Sequence, residues 1–583
     1  MRTGAQVLVD QLRIHGVDAA FCVPGESYLA VLDALYDAAD EIQLITCRQE
    51  GGAAYAAEAY GKLTGKPGIC FVTRGPGATN ASIGVHAARQ DATPMILFVG
   101  QVPRDQLERE AFQEIDYRQM YGSVAKWASQ IEDARRIPEY ISRAFHVATS
   151  GRPGPVVLAL PEDMQRDEVD VADGAPYRVP QAAPTAADLA QLRTLLAQAE
   201  RPMLMAGHCG WTPAAIADLR AFAQQNNLPA VSAFRCQDLF DNRSAQYVGA
   251  TGVGGNPKLN RRIQEADLLL IVGARPDALT VNRYTLMEIP RPHQRLVHVY
   301  PDPNELGRIY QADLPIAATM AGFAAAARAM PPVDSRAWQD WLAAARTDYI
   351  EYIEPTEVPG DVNLGQILVW LKEHAPADAI MSNGAGVYTA WCHRFYEFSQ
   401  PRTQLAPIVG SMGYGTPAAV AAKVVNPERM VISVAGDGCF MMNGQELATA
   451  MMYGLNFITI VVNNNMLGTI RMHQERHYPG RVSGTTLVNP DFAEYARAFG
   501  AHGEVVERTE DFPAAFERAL AANKPAVIEL RVDPEALSPT GTLAACAGGN
   551  GANRMARQGE LRPKFDFFSL HMVYFRQSEL CNK

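Results

Sequence analysis

The sequence predicts an α/β protein of three doubly wound parallel-sheet domains. Three observations carry that expectation. Short aliphatic and β-branched runs alternate with segments of helical spacing along most of the chain. Several of these runs, such as 268–272 (LLLIV) and 457–462 (FITIVV), are apolar without alternation, as strands covered on both faces must be. Two connectors, the proline- and alanine-rich 175–184 and the partly helical 331–359, divide the alternation into blocks. The expected domains are 1–174, 185–335 and 360–535, with a tail over 536–583.

In the first block an amphipathic helix from Gln6 (Val7, Leu8, Leu12, Ile14) precedes a strand through Ala19–Val23. A helix after Pro24-Gly25, a strand over 43–46, an alanine-rich helix and the run Gly68–Val72 follow. The second block opens with the strand Pro202–Gly207, continues through a helix around Ala214–Asn226 and reaches 268–273. In the third, 429–435 (RMVISVA) reads as a buried strand, 444–453 has helical spacing and 457–462 is a further strand. The aromatic-rich tail from 544 to 583 fits none of this and is expected to be a lid, a packing strand or a disordered extension.

A chain of 583 residues is long enough for several cores. Its net charge of −11 gives no bulk attraction for nucleic acid or anionic membranes. No apolar stretch approaches the ~20 residues of a membrane span, and nothing near Met1 reads as a targeting segment, so a cytoplasmic location is expected. The nine cysteines form no C-x-x-C pair, which speaks against a zinc site or a disulfide framework.

The chemistry concentrates at strand ends. Gly436-Asp437-Gly438 closes one predicted strand and Asn463-Asn464-Asn465 closes the next. Open α/β sheets bind ligands at such carboxyl ends. Mg²⁺ takes one or two protein oxygens and fills the remainder of its shell with phosphate and water, so this pattern suits a metal-diphosphate cofactor. On the pattern alone, Asp437 also reads as a turn former and the asparagines as caps. Glu50, taken alone, reads first as a helix-start carboxylate favoured by the dipole.

The stretch GDG, 24 residues of strand-helix-strand pattern, then NN resembles the motif of thiamine-diphosphate enzymes such as pyruvate decarboxylases and acetolactate synthases. The resemblance covers about Gln6 to Pro534 and implies a pyrimidine-binding, a central and a diphosphate-binding domain in that order. It implies that Asp437, the Asn464 side chain and the Met466 carbonyl hold Mg²⁺. Glu50 then becomes the catalytic acid that shares a proton with the aminopyrimidine. Pro24, Gly25, Pro76 and Asn80 fall in loops similar to those beside the pyrimidine. Gly386, Val387 and Tyr388 fall in the diphosphate loop, and Gly436, Gly438, Cys439, Leu467, Gly468 and Thr469 flank the metal ligands. Gly410-Ser411-Met412 resembles the segment whose apolar side chain bends the cofactor, although an isolated Met reads first as core filler.

Among these enzymes the acetolactate synthase pattern is nearest, through Ala111-Phe112-Gln113-Glu114, whose Phe112 and Gln113 would face substrate. It implies decarboxylation of a 2-oxo acid followed by joining of the resulting enamine to a second carbonyl. Two departures stand out. Glu162 replaces the usual lysine of LPKD, and His473 stands where a tryptophan is usual, nine residues after Asn464. His473 would line the substrate pocket, and Arg471 would bind a carboxylate. FAD is an optional cofactor of such carboligases, and Gly207–Gly210 and Gly273–Asp277 partly match its segments. The resemblance further implies a homodimer or homotetramer with each site between subunits. Another 2-oxo acid decarboxylase or C–C lyase, and a non-catalytic cofactor-binding protein, are the alternatives.

Overall fold

A computed structural model of the chain describes residues 1–548. It holds three six-stranded, all-parallel sheets flanked by helices, an α/β fold as expected. The first sheet runs, edge to edge, Gln43–Thr46, Ala19–Cys22, Gly68–Val72, Met95–Gln101, Pro155–Pro161, Trp127–Gln130. The third runs Gln404–Leu405, Ile380–Asn383, Val431–Gly436, Ile458–Asn463, Ala526–Arg531, His502–Val506. Numbered in chain order within each sheet, both read 2-1-3-4-6-5. The central sheet, from Pro202–Ala206 to Leu314–Ala317, reads 3-2-1-4-5-6.

These orders fix where ligands can sit. Strand order reverses between Ala19–Cys22 and Gly68–Val72 in the first sheet, and between Ile380–Asn383 and Val431–Gly436 in the third. At such reversals the loops leave on opposite faces and open a crevice. In the central sheet the reversal lies between Pro202–Ala206 and Leu268–Val272, directly before Gly207 and Gly273.

The outer sheets share one core. The helix Glu50–Thr64 is buried throughout except at its two end residues, and packs its alanines on the helix Gly415–Val425 of the third block. The helix Pro76–Asp91 packs on it as closely, and a Cβ on Gly84 there would lie 2.4 Å from that of Ala54. Lys62 ties this seam, with its Nζ 2.5 Å from Asp91 and 3.2 Å from Glu58 while donating to Ala406 O. Tyr414 OH donates to Glu58, and Asp91 accepts the backbone N–H groups of Ile408 and Val409. The central sheet keeps its own core.

The connector 175–184 has no regular structure, and 331–359 carries the helix Gln339–Ile353. Seven of the eight cysteines among the described residues are buried, and all eight are free thiols. No helix among the described residues is long and apolar enough to cross a membrane. Of the tail, a short helix Leu543–Gly548 is described. The aromatic segment 564–575, expected to be a lid or an extension, lies outside the described residues.

Candidate active site

The first crevice is built from close loops. Gly25 abuts Thr73, where any Cβ would lie 2.4 Å from that of Thr73, and Ser27 hydrogen-bonds the Thr73 hydroxyl. Gly75, at φ +52°, turns the chain into the helix Pro76–Asp91 and faces Gln113 so closely that a Cβ would meet it at 2.9 Å. Glu50 opens the helix Glu50–Thr64, whose start is capped by the Gln49 side chain on Gly52 N. Asn80, one turn into the neighbouring helix, donates to Glu50 Oε2 at 2.9 Å. Pro24, Pro76 and Asn80 are placed at the rim.

A residue that sequence reasoning missed sets the height of Glu50. Glu446, almost fully buried, accepts the backbone N–H groups of Arg48 and Gln49 at 3.1 Å and the Thr449 hydroxyl at 2.6 Å. Burial pushes its carboxyl above the ordinary range, and these donors pull the other way.

The second crevice gathers the third-block residues. Gly436 lies beside Val462 in parallel register, so Asp437 and Asn463 follow at adjacent strand ends. Tyr388 OH accepts Gly384 N–H and donates to the Cys439 thiol, which also accepts Gly413 N–H. A Cβ on Gly438 would touch Leu467 at 2.7 Å and lie 3.8 Å from the Met412 methyl. One on Gly468 would meet Val387 at 2.9 Å and the Asn464 amide at 3.2 Å. Gly386 accepts the Thr389 hydroxyl. Tyr55 OH donates to Met412 O across the seam, whereas Gly410 is exposed at φ +74° and Ser411 is half-buried. Thr469 follows on the helix Gly468–His477.

Asp437 is 3 % exposed. Its Oδ1 accepts Gly438 N–H at 2.8 Å and its Oδ2 accepts the Asn489 amide at 2.9 Å. Burial raises its pKa above the usual carboxylate value, opposed by Gly438, Asn489 and the backbone of Asn465 and Met466. The same Asn489 nitrogen also reaches the side-chain oxygens of Asn463 at 3.0 Å and Asn465 at 3.3 Å. Asn464 Oδ1 accepts Met466 N–H at 3.2 Å. Oxygen atoms from two strand ends therefore converge here around a buried carboxylate. Asn489, 52 residues beyond Asp437, carried no signal in the sequence.

The four residues expected at the substrate divide. Phe112 is 72 % exposed, its carbonyl accepting Arg74 Nε and its ring 5.9 Å from the Arg74 guanidinium. Gln113, at φ +66°, is set against Gly75. Arg471 pairs with Glu475 at 2.7 Å one turn on, leaving its Nε buried without a partner. His473 stacks near His477 with ring centres 6.3 Å apart. The departure at Glu162 has a partner too, since its carboxylate lies 3.9 Å from Arg74 and 3.7 Å from Arg166.

Comparisons with known proteins agree with this geometry. Residues 2–120, 189–327 and 384–530 match, in order, the N-terminal TPP binding domain, the central domain and the C-terminal TPP binding domain of thiamine pyrophosphate enzymes. The acetolactate synthase isozyme 2 large subunit of Escherichia coli is 33% identical over 91% of this chain and 95% of its own length. The large subunit from Corynebacterium glutamicum is 33% identical over 92% and 87%, and a probable one from Methanocaldococcus jannaschii 31% over 92% and 93%. With both crevices at the matched domains, the chain belongs to the thiamine pyrophosphate enzyme family and resembles the acetolactate synthase large subunit.

Proposed function

We propose that the chain is a Mg²⁺- and thiamine-diphosphate-dependent carboligase that decarboxylates a 2-oxo acid and joins the remaining fragment to a second carbonyl. The observation that carries this is the buried Asp437 carboxylate at a sheet reversal, ringed by amide and backbone groups and without an ion-pair partner among the described residues. A buried carboxylate with oxygen neighbours fits a hard cation, which needs few protein ligands when phosphate completes its shell. Asp437, the Asn464 side chain and the Met466 carbonyl would hold the ion. The glycines at 386, 436, 438 and 468, with Val387, Tyr388, Cys439, Leu467 and Thr469, would line the diphosphate.

Thiamine diphosphate supplies the carbon nucleophile that adds to a 2-oxo acid and lets carbon dioxide leave. The chain supplies position and proton control. Glu50 would hold a proton at its carboxyl, steadied by Asn80, for exchange with the pyrimidine ring. Met412, held through its carbonyl by Tyr55, would wedge the cofactor's bend, and Pro24, Gly25 and Pro76 would border the ring. Phe112 and Gln113 would face substrate, with Arg471 and His473 on the opposite wall.

Each site would need two chains. Thr79, Asn80 and Ile83 form an exposed face on the helix that steadies Glu50, and Met441, Met442 and Ile470 are exposed beside the Asp437 crevice. The exposed apolar side chains among these, Ile83, Met441, Met442 and Ile470, support burial against a second copy, in a dimer or tetramer. FAD would lie at the central reversal, where Gly207 and Gly273 follow adjacent parallel strands.

A decarboxylase or C–C lyase acting on a different substrate is the second reading, favoured by His473 and by Glu162 facing Arg74. Mass spectrometry of products from pyruvate, thiamine diphosphate, Mg²⁺ and a panel of acceptor carbonyls tests both. A coupled 2-hydroxy-3-oxo product supports carboligation, and carbon dioxide with only an aldehyde would replace it by simple decarboxylation. A visible spectrum of the purified protein reads flavin directly.

A further inference from the structure

The third sheet carries a buried carboxylate that has no part in the chemistry proposed above. Glu529, 1 % exposed, sits on the strand Ala526–Arg531, two strands away from the one that ends before Asp437. We propose that Glu529 is a positioning residue of the Asp437 site, acting through Asn463 and Asn489 to keep an amide N–H turned on the Asp437 carboxylate. The inference rests on the reading of Asp437 as a Mg²⁺ ligand.

A chain of hydrogen bonds joins the two carboxylates. Glu529 Oε1 accepts Asn463 Nδ2–H at 2.8 Å, Asn463 Oδ1 accepts Asn489 Nδ2–H at 3.0 Å, and the same Asn489 nitrogen donates to Asp437 Oδ2 at 2.9 Å. Both ends are fixed chemically, because a carboxylate accepts hydrogen bonds and does not donate them. Glu529 therefore demands the nitrogen of Asn463, which turns the Asn463 oxygen toward Asn489 and toward the backbone N–H of Asn465 at 3.1 Å. That oxygen in turn demands the nitrogen of Asn489, the atom that Asp437 also requires. Were Asn463 reversed, two N–H groups would face each other, and Asn489 would turn over to relieve them and present its oxygen to the Asp437 carboxylate.

Glu529 also holds Asn489 from the backbone side. Its Oε2 accepts Phe492 N–H at 3.2 Å, shortly beyond Asn489, where the helix Phe492–Ala498 begins. Arg531 Nε lies 3.4 Å from Oε1, and that guanidinium is shared with Asp491 and Glu507. An anchor is needed because Asn489 is half-buried and lines a cleft of about 490 Å³ with Asn465, Asp491 and Arg531, where water offers its amide other partners. The same Asn463 oxygen serves a second purpose. Asn465 is left-handed at φ +54°, and the bond to its N–H holds the turn that leads into Met466.

The test is calorimetric titration of the full chain with Mg²⁺ at a fixed concentration of thiamine diphosphate. Glu529→Gln offers a single acceptor where the Asn463 and Phe492 N–H groups need one each, and should weaken Mg²⁺ binding by about tenfold or more, as loss of a group that orients a ligand does. Asn489→Ala should weaken it as well. Glu529→Gln added to Asn489→Ala should cost no more than about twofold further, since a residue that works through Asn489 then has nothing left to work on. Loss of a distant charge or of packing would instead add in full to the Asn489→Ala effect, and that result would overturn the proposal. So would unchanged affinity in folded Glu529→Gln beside weakened affinity in Asn489→Ala, an outcome that leaves Asp437 as a ligand. Absence of Mg²⁺ binding to the unaltered chain would remove the Asp437 reading itself, and the proposal with it. If Glu529→Gln fails to fold, Glu529→Met, of similar volume and with no N–H to clash, enters the same comparison.

Discussion

The first and third sheets have the same strand order and the same point of reversal, yet the two crevices they open are furnished differently. In the first, one carboxylate stands at a helix start, steadied by Asn80 and walled by small and apolar side chains. In the third, a buried carboxylate faces amide and carbonyl oxygens beside a run of glycines. On the proposed function, one crevice would move a proton and the other would hold a cation and a diphosphate. Topology thus supplies the places, and a handful of side chains at the loops decides what each place does.

Substitutions at each crevice should separate these roles. Glu50→Gln should lower the turnover rate by about 10²–10⁴-fold, the usual worth of a general acid–base group, while leaving cofactor affinity within a few-fold. Steady-state rates and cofactor titration check it, and equal loss in both would erase the difference between the crevices. Asp437→Ala should act in the opposite sense, lowering Mg²⁺-dependent cofactor affinity by more than about 100-fold. Asn489→Ala removes the amide that orients Asp437, and should cost about 10–100-fold in Mg²⁺ affinity, read by titration of the ion at fixed cofactor.

The smallest effect is expected where the regions meet. Burial raises the pKa of Glu446 in the folded chain above the ordinary glutamate value, so between those two values the folded chain holds more protons than the unfolded one. Its stabilising contribution is therefore full at the acid end and is lost as pH rises through the folded pKa. Glu446→Gln cannot ionise, and its denaturation curves should lose that pH dependence relative to the unaltered chain. At the acid end, where the glutamate is protonated, the two chains should agree to within about 1 kcal/mol, the net worth of one hydrogen bond. An unchanged slope would mean that Glu446 does not titrate in this window.

Much of this was legible in the sequence because it is local. The parallel strands Leu268–Val272 and Ile458–Asn463 announce themselves as continuous apolar runs, since both faces are covered. The placement of Asp437 and Asn464 just past strand ends was readable because a strand and the loop after it are contiguous in sequence. The pairing of Arg471 with Glu475 follows from their spacing of four on a helix. What stayed hidden is long-range. Glu446 reaches back 398 residues to Arg48, and Lys62 meets Ala406 across 344. No periodicity encodes such contacts, which arise only where the first and third blocks pack together.

The claim that each active site takes Glu50 from one chain and Asp437 from another is tested most directly by complementation. Chains carrying Glu50→Gln and chains carrying Asp437→Ala are co-expressed in equal amounts, and the whole population of dimers is assayed for 2-oxo acid consumption beside each variant alone. A shared site predicts recovery to about a quarter of unaltered activity, since half the dimers are mixed and each has one intact site of two. Activity no higher than that of the better single variant would contradict it and place both residues in a site formed within one chain.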